Sequence, residues 1–190
     1  MLKIGLPNML TLLRIGMIPI FIVIFYLPFV WAHYAAAIIF TLACLTDWLD
    51  GFLARKWHQA SSFGAFIDPV ADKLLVSSSL VLLVGSPDLH FLTLPAVVIV
   101  GREIAISALR EWMAEIGQRT SIAVSYVGKI KTGMQMIAII LLIACHQSGT
   151  WCGLLGTVLL YLAAILTIWS MIEYLKIAWP ELTKKSELTP

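Results

Sequence analysis

Six apolar stretches, each close to twenty residues long, leave this chain little choice of fold. They run roughly over 10–31, 34–55, 66–85, 91–113, 124–145 and 151–177. A helix needs about 20 apolar residues to cross the hydrocarbon core of a bilayer. The pattern therefore predicts an all-α integral membrane protein with six transmembrane helices. Of the 190 residues, 60% are hydrophobic and 13% charged, against about 25% charged in average usage. The length suits one domain, expected over 1–180, with a polar and mobile tail over 181–190. Pro28, the Gly85-Ser86-Pro87-Asp88 segment and His146-Gln147-Ser148-Gly149 supply the breaks between stretches. A net charge of +2 is too small to argue for nucleic acid. Cys44, Cys145 and Cys152 lie in or beside apolar segments without metal-ligand spacing and read as small core residues, with no disulfide expected.

The placement of cations orients the six spans. Lys3, Arg14, Arg55, Lys56, Arg119, Lys129, Lys176, Lys184 and Lys185 fall on one side. The opposite connections, near 28–34, 86–90 and 146–150, contain no Lys or Arg. The positive-inside rule then predicts that both termini and the connection between the second and third helices are cytoplasmic. A cleaved signal peptide is the competing reading, since Ala35-Ala36-Ala37 follows the first apolar run. That run is long for such a segment and its basic start is thin. Trp31, Trp57, Trp151, Trp169 and Trp179 lie near expected interfaces, where an aromatic belt accounts for them. His33, His58, His90 and His146 show no zinc-ligand spacing.

Within this apolar chain, four of five aspartates are crowded between positions 47 and 72. Asp47 and Asp50 are three apart, and Asp68 and Asp72 are four apart, so each pair shares a helical face. Intramembrane carboxylates are expensive and mark functional sites. Single aspartates at helix ends can be caps, or partners of Arg55 and Lys73; four at helical spacing are not explained that way. Gly51 and Ala54 continue the first stripe; Gly64 and Ala71 continue the second. Small residues permit close helix approach and leave room for a phosphate ligand. Two antiparallel helices joined by a short connection would let the stripes face each other. Four neighbouring carboxylates repel, and hard divalent cations with oxygen ligands would relieve the repulsion. Paired metals are a common device for phosphoryl displacement.

The segment D-x2-D-G-x2-A-R-x8-G-x3-D-x3-D, formed by Asp47, Asp50, Gly51, Ala54, Arg55, Gly64, Asp68 and Asp72, resembles the signature of the CDP-alcohol phosphatidyltransferases. Identity and spacing match throughout. The likeness extends to Leu6-Pro7-Asn8-Met9-Leu10-Thr11-Leu12-Leu13-Arg14, to Arg102-Glu103, and to Lys129-Ile130-Lys131-Thr132. These segments resemble bacterial members that use glycerol 3-phosphate. The resemblance implies a six-helix membrane fold, commonly a homodimer, in the bacterial inner membrane with its site open to the cytoplasm. It implies transfer of the phosphatidyl group from CDP-diacylglycerol to sn-glycerol 3-phosphate, with release of CMP. That reaction leads towards phosphatidylglycerol and cardiolipin. By the same resemblance Asp47, Asp50, Asp68 and Asp72 bind two Mg²⁺ or Mn²⁺ ions. Asp72 is also the general base, and Gly51, Ala54, Arg55 and Gly64 line the CDP end. Asn8, Thr11 and Arg14 then belong to the nucleotide side; otherwise they are a cap and an interface arginine.

The acceptor phosphate needs fixed cations. Arg110, Lys129 and Lys131 are the candidates, on the expected fourth and fifth helices; the alternative is ordinary flanking charge. Arg102 is expected deeper, paired with a carboxylate such as Glu103. Lys73 points about 100° away from Asp72 on a helix and is expected to be structural. A transporter reading would require inverted repeats and interrupted helices, which the sequence does not display. An intramembrane prenyltransferase also uses Asp-rich metal–diphosphate sites but does not require the G-x2-A-R and G-x3-D-x3-D spacing. Another acceptor alcohol within the same family is a further alternative.

Overall fold

A computed structural model describes residues 6–57, 62–87, 89–116, 126–145 and 150–183. The described residues form six α-helices and one short 3-10 turn, without strands. The helices are α1 (Leu6–Phe25), α2 (Val30–Trp57), α3 (Ser62–Val84), α4 (Thr93–Glu115), α5 (Tyr126–Ala144) and α6 (Trp151–Thr183). The first break falls at Pro28, and α2 begins at Val30, four residues earlier than its apolar run suggests. Gly85–Pro87 turns the chain out of α3. Thr150 caps α6, its hydroxyl accepting from the Gly153 N–H at 3.2 Å. Helix α6 continues through Pro180 to Thr183, past the boundary expected for a polar tail. A helix leaving the bilayer still satisfies its own backbone, so loss of apolar character does not end it. The expected mobile segment from 184 onward lies outside the described residues, as does the His146–Gly149 break.

Helices α2, α4 and α6 contain windows long and apolar enough to cross a bilayer. The apolar parts of α1 and α5, Met9–Phe25 and Ile130–Ala144, are shorter. In α3 the charges of Asp68, Asp72 and Lys73 interrupt the apolar run. The burial pattern is that of a membrane protein. Phe21, Phe40, Leu83, Ile99, Ile139 and Leu142 are fully enclosed. Yet Val30, Val81, Leu94, Val97, Ile165 and Trp169 are each more than 60% exposed on the outside of the bundle. In water such a continuous apolar surface would drive association; in lipid it is the solvent-facing surface.

Packing departs from the expected pairing. Helices α2 and α3, though consecutive, touch only slightly, and α1 packs broadly against both. Continuing around the bundle, α2 meets α5, α5 meets α6, α6 meets α4, and α4 returns to α3. The aspartate-bearing ends of α2 and α3 are therefore held together by α1.

Cys145 and Cys152, expected to be separate core thiols, are joined as a disulfide, with Cα atoms 6.0 Å apart. The pairing of α5 with α6 brings them together across their connection, within the separation a disulfide spans. This bond sits at the end of the bundle opposite the aspartates.

Candidate active site at the α1–α2–α3 junction

Helix α1 presents two polar side chains one turn apart, Thr11 and Arg14, both buried. The Arg14 side chain is 0% exposed. Its Nη1 lies 2.8 Å from Asp47 Oδ1 and 2.6 Å from Asp72 Oδ1. The Thr11 hydroxyl donates to Asp68 Oδ1 at 2.5 Å. One helix thus supplies the donors that gather carboxylates from two others. A guanidinium removed from water is tolerated only when paired, which explains why Arg14 sits where two acidic helices meet. Arg14 is thus enclosed among carboxylates, unlike the exposed interface arginine that was one alternative for it. Pro69, between Asp68 and Asp72, lies inside α3. Without an N–H it leaves one rung out of the helix ladder beside the site.

Asp47 and Asp72 are each more than two-fifths exposed, although their shared partner is enclosed. They line the wall of a cavity of about 160 Å³. Glu103, Thr132 and Gln135 line another part of that wall. The cavity connects the aspartates with a second polar group on α4 and α5. There Lys131 is almost fully buried and donates to Glu103 Oε1 at 3.1 Å. Arg102 Nη1 reaches the same oxygen at 3.0 Å, giving it the carboxylate partner expected. Arg102 and Arg110 are both close enough to act electrostatically on Lys131. Lys73 lines the same cavity wall and donates to Ser107 on α4.

The other candidates divide as follows. Gly64 is buried in the first turn of α3. Arg110 contacts Tyr174 on α6, its Nη2 being 3.1 Å from the hydroxyl. Asn8, Asp50, Gly51, Ala54, Arg55 and Lys129 lie on helices, but their side chains fall outside the described residues. Sequence reasoning did not assign Arg14 to the aspartates, nor Glu103 a place on the cavity wall, and it missed Tyr174 and Ser170 altogether. An arginine on the hydrophobic first helix, in register with Thr11, was the available signal for Arg14.

Among the described residues, no group of three or more His, Cys, Asp or Glu side chains is gathered closely enough to hold a metal. Two carboxylate oxygens from different helices converge on one positively charged nitrogen, and carboxylate oxygen is the donor type that hard cations take.

Residues 4–169 match the family model for CDP-alcohol phosphatidyltransferase. A relative from Salmonella typhimurium is 50% identical over 177 residues, which is 93% of this chain and 96% of that protein. Relatives from Shigella flexneri and Escherichia coli K12 are 49% identical over 181 residues, 95% of this chain and 98% of theirs. All three relatives are named CDP-diacylglycerol–glycerol-3-phosphate 3-phosphatidyltransferase. With the family match spanning most of its length and carboxylates of the signature motif gathered at one junction, this chain belongs to the CDP-alcohol phosphatidyltransferase family.

Proposed function

We propose that this protein transfers the phosphatidyl group of CDP-diacylglycerol to sn-glycerol 3-phosphate, forming phosphatidylglycerophosphate and CMP. The observation that carries this reading is the cavity shared by Asp72 and Glu103. It sets Asp72, a carboxylate able to take a proton, on one wall with Glu103, which holds Arg102 and Lys131 behind it. Arg102, Lys131 and Arg110 against the single carboxylate of Glu103 leave two positive charges in excess. Phosphate near neutral pH carries close to two negative charges. Lys129 would add to the same patch.

In this mechanism Asp72 accepts the proton of the acceptor's primary hydroxyl. The hydroxyl oxygen forms a bond to the lipid-linked phosphorus. The bond from that phosphorus to the bridging oxygen breaks, and CMP departs with the electron pair. Arg14 keeps Asp72 and Asp47 oriented, and Thr11 does the same for Asp68. Gly51, Ala54, Arg55, Gly64 and Asn8 would receive the CDP end, where Arg55 can fork across phosphate oxygens. Two divalent cations, Mg²⁺ or Mn²⁺, held by Asp47, Asp50, Asp68 and Asp72, would supply charge neutralisation of the diphosphate.

The same reading has the site facing the cytoplasm of a bacterial inner membrane, with six spans and both termini inside. The Cys145–Cys152 bond at the opposite end supports that orientation, because disulfides persist in oxidising compartments. A homodimer formed through the exposed apolar faces belongs to the same proposal. The test is CMP release from CDP-diacylglycerol by purified protein in detergent. Release should require both a divalent cation and glycerol 3-phosphate. Equal release with serine, inositol phosphate or phosphatidylglycerol, or release without any acceptor, would overturn it.

A further inference from the structure

The cations that α4 contributes are held from behind by α6. Arg102 and Arg110 are eight residues apart, which keeps them on one side of α4. Opposite them, Ser170 and Tyr174 are one turn apart on α6, and both are buried. Arg102 Nη2 donates to Ser170 Oγ at 3.2 Å, and Arg110 Nη2 to the Tyr174 hydroxyl at 3.1 Å. Both guanidinium groups also lie over the Tyr174 ring, with their central carbons 5.5 and 5.4 Å from its centroid. One buried ring therefore holds two cations.

We infer that Tyr174 is the positioning residue of the acceptor-phosphate site, acting through Arg102 and Arg110. The inference rests on the reading that cations of α4 and α5 grip the acceptor phosphate. The chemistry of the contact explains why a tyrosine serves. Two guanidinium groups directed at one ligand repel each other. An aromatic face attracts each of them through its quadrupole. Glu103 already holds Arg102, and a further carboxylate beside Arg110 would cancel the charge that the phosphate needs. The ring restrains the cations and leaves their charge intact. Arg110 is exposed on α4 and has many rotamers; the hydroxyl and ring select one of them. Fixing the phosphate fixes the acceptor's far end, and so the place of its attacking hydroxyl.

The test measures KM separately for glycerol 3-phosphate and CDP-diacylglycerol in Tyr174→Leu and Tyr174→Phe, with Arg110→Gln and Lys131→Gln in parallel. Tyr174→Leu should raise the acceptor KM roughly tenfold, in line with loss of two cation–π contacts and a charge-assisted hydrogen bond. The CDP-diacylglycerol KM should stay within twofold. Tyr174→Phe keeps the ring and should recover most of the loss, leaving the acceptor KM about threefold raised. A purely structural role would move both KM values together and would not be rescued selectively by Phe; that result overturns the inference. So does an unchanged acceptor KM in both tyrosine variants. If Arg110→Gln or Lys131→Gln raises the acceptor KM while the tyrosine variants do not, the inference fails and the acceptor site stands. If none of the four moves it, the acceptor site fails too. Should Tyr174→Leu not insert, Tyr174→Phe decides alone: a selective rise in acceptor KM supports the inference, and an unchanged one overturns it.

Discussion

Arg14 lets carboxylates from α2 and α3 stay close by pairing with both. Replacing it by methionine keeps bulk and removes the charge. Removing one partner of a buried pair costs about 3–5 kcal/mol when both are enclosed. Here the carboxylates are more than two-fifths exposed, so water recovers part of that. The expected loss for Arg14→Met in the presence of a chelator is about 1–3 kcal/mol. Thermal unfolding in detergent measures it, and added Mg²⁺ should restore more stability to the variant than to the wild type. An unchanged melting temperature under chelation would mean that Arg14 does not hold the carboxylates together. The aspartates themselves are predicted to be needed for turnover. Asp47→Asn, Asp50→Asn, Asp68→Asn and Asp72→Asn should each lower kcat at least about a hundredfold while leaving an inserted, folded protein. Near-normal turnover in any two of them would remove the two-metal assignment.

At the level of whole helices, α6 comes close to α5 at Gly156. A Cβ there would meet Leu142 Cγ at 2.9 Å, the Ala138 carbonyl at 3.2 Å and Leu141 Cβ at 3.2 Å. Part of that wall is backbone, so the helices would have to separate. Small residues at such crossings are how membrane helices gain packing where lipid offers no hydrophobic drive. Gly156→Ala should therefore destabilise by about 1–3 kcal/mol, as overpacking does. Because α5 also carries Lys131, the acceptor KM should rise along with the loss. Gly16 and Gly101 have open space where a Cβ would stand. Gly16→Ala and Gly101→Ala should be neutral or slightly stabilising through helix propensity. If Gly156→Ala melts with these controls, the α5–α6 contact is not as tight as its geometry requires.

For the molecule as a whole, the direct question is which end faces the cytoplasm. A cysteine introduced at Ser61, between α2 and α3, is predicted to be shielded from an impermeant thiol reagent in intact cells and labelled in inverted vesicles. The reverse pattern would separate the site from cytoplasmic glycerol 3-phosphate. The native disulfide supplies an independent reading from the other end. Cys145 and Cys152 should resist alkylation until reduced, and an external reductant should reach them in cells whose outer permeability barrier is opened.

The sequence by itself determined the medium, the helices and the chemistry of the motif. Apolar run length imposes the lipid environment, and helical periodicity places Asp47 with Asp50 and Asp68 with Asp72 whatever the rest of the chain does. These are local properties, set by a few turns of backbone. What only the tertiary structure decided is which helix completes the site. Covalent neighbours α2 and α3 were the natural partners, yet α1 packs against both and delivers Thr11 and Arg14 to three carboxylates. Lys131 meeting Glu103, Tyr174 holding two arginines, and Cys145 meeting Cys152 are decisions of the same kind. Each joins residues on different helices. Such contacts depend on the order of helices around the bundle, and the period of any one helix carries no record of that order.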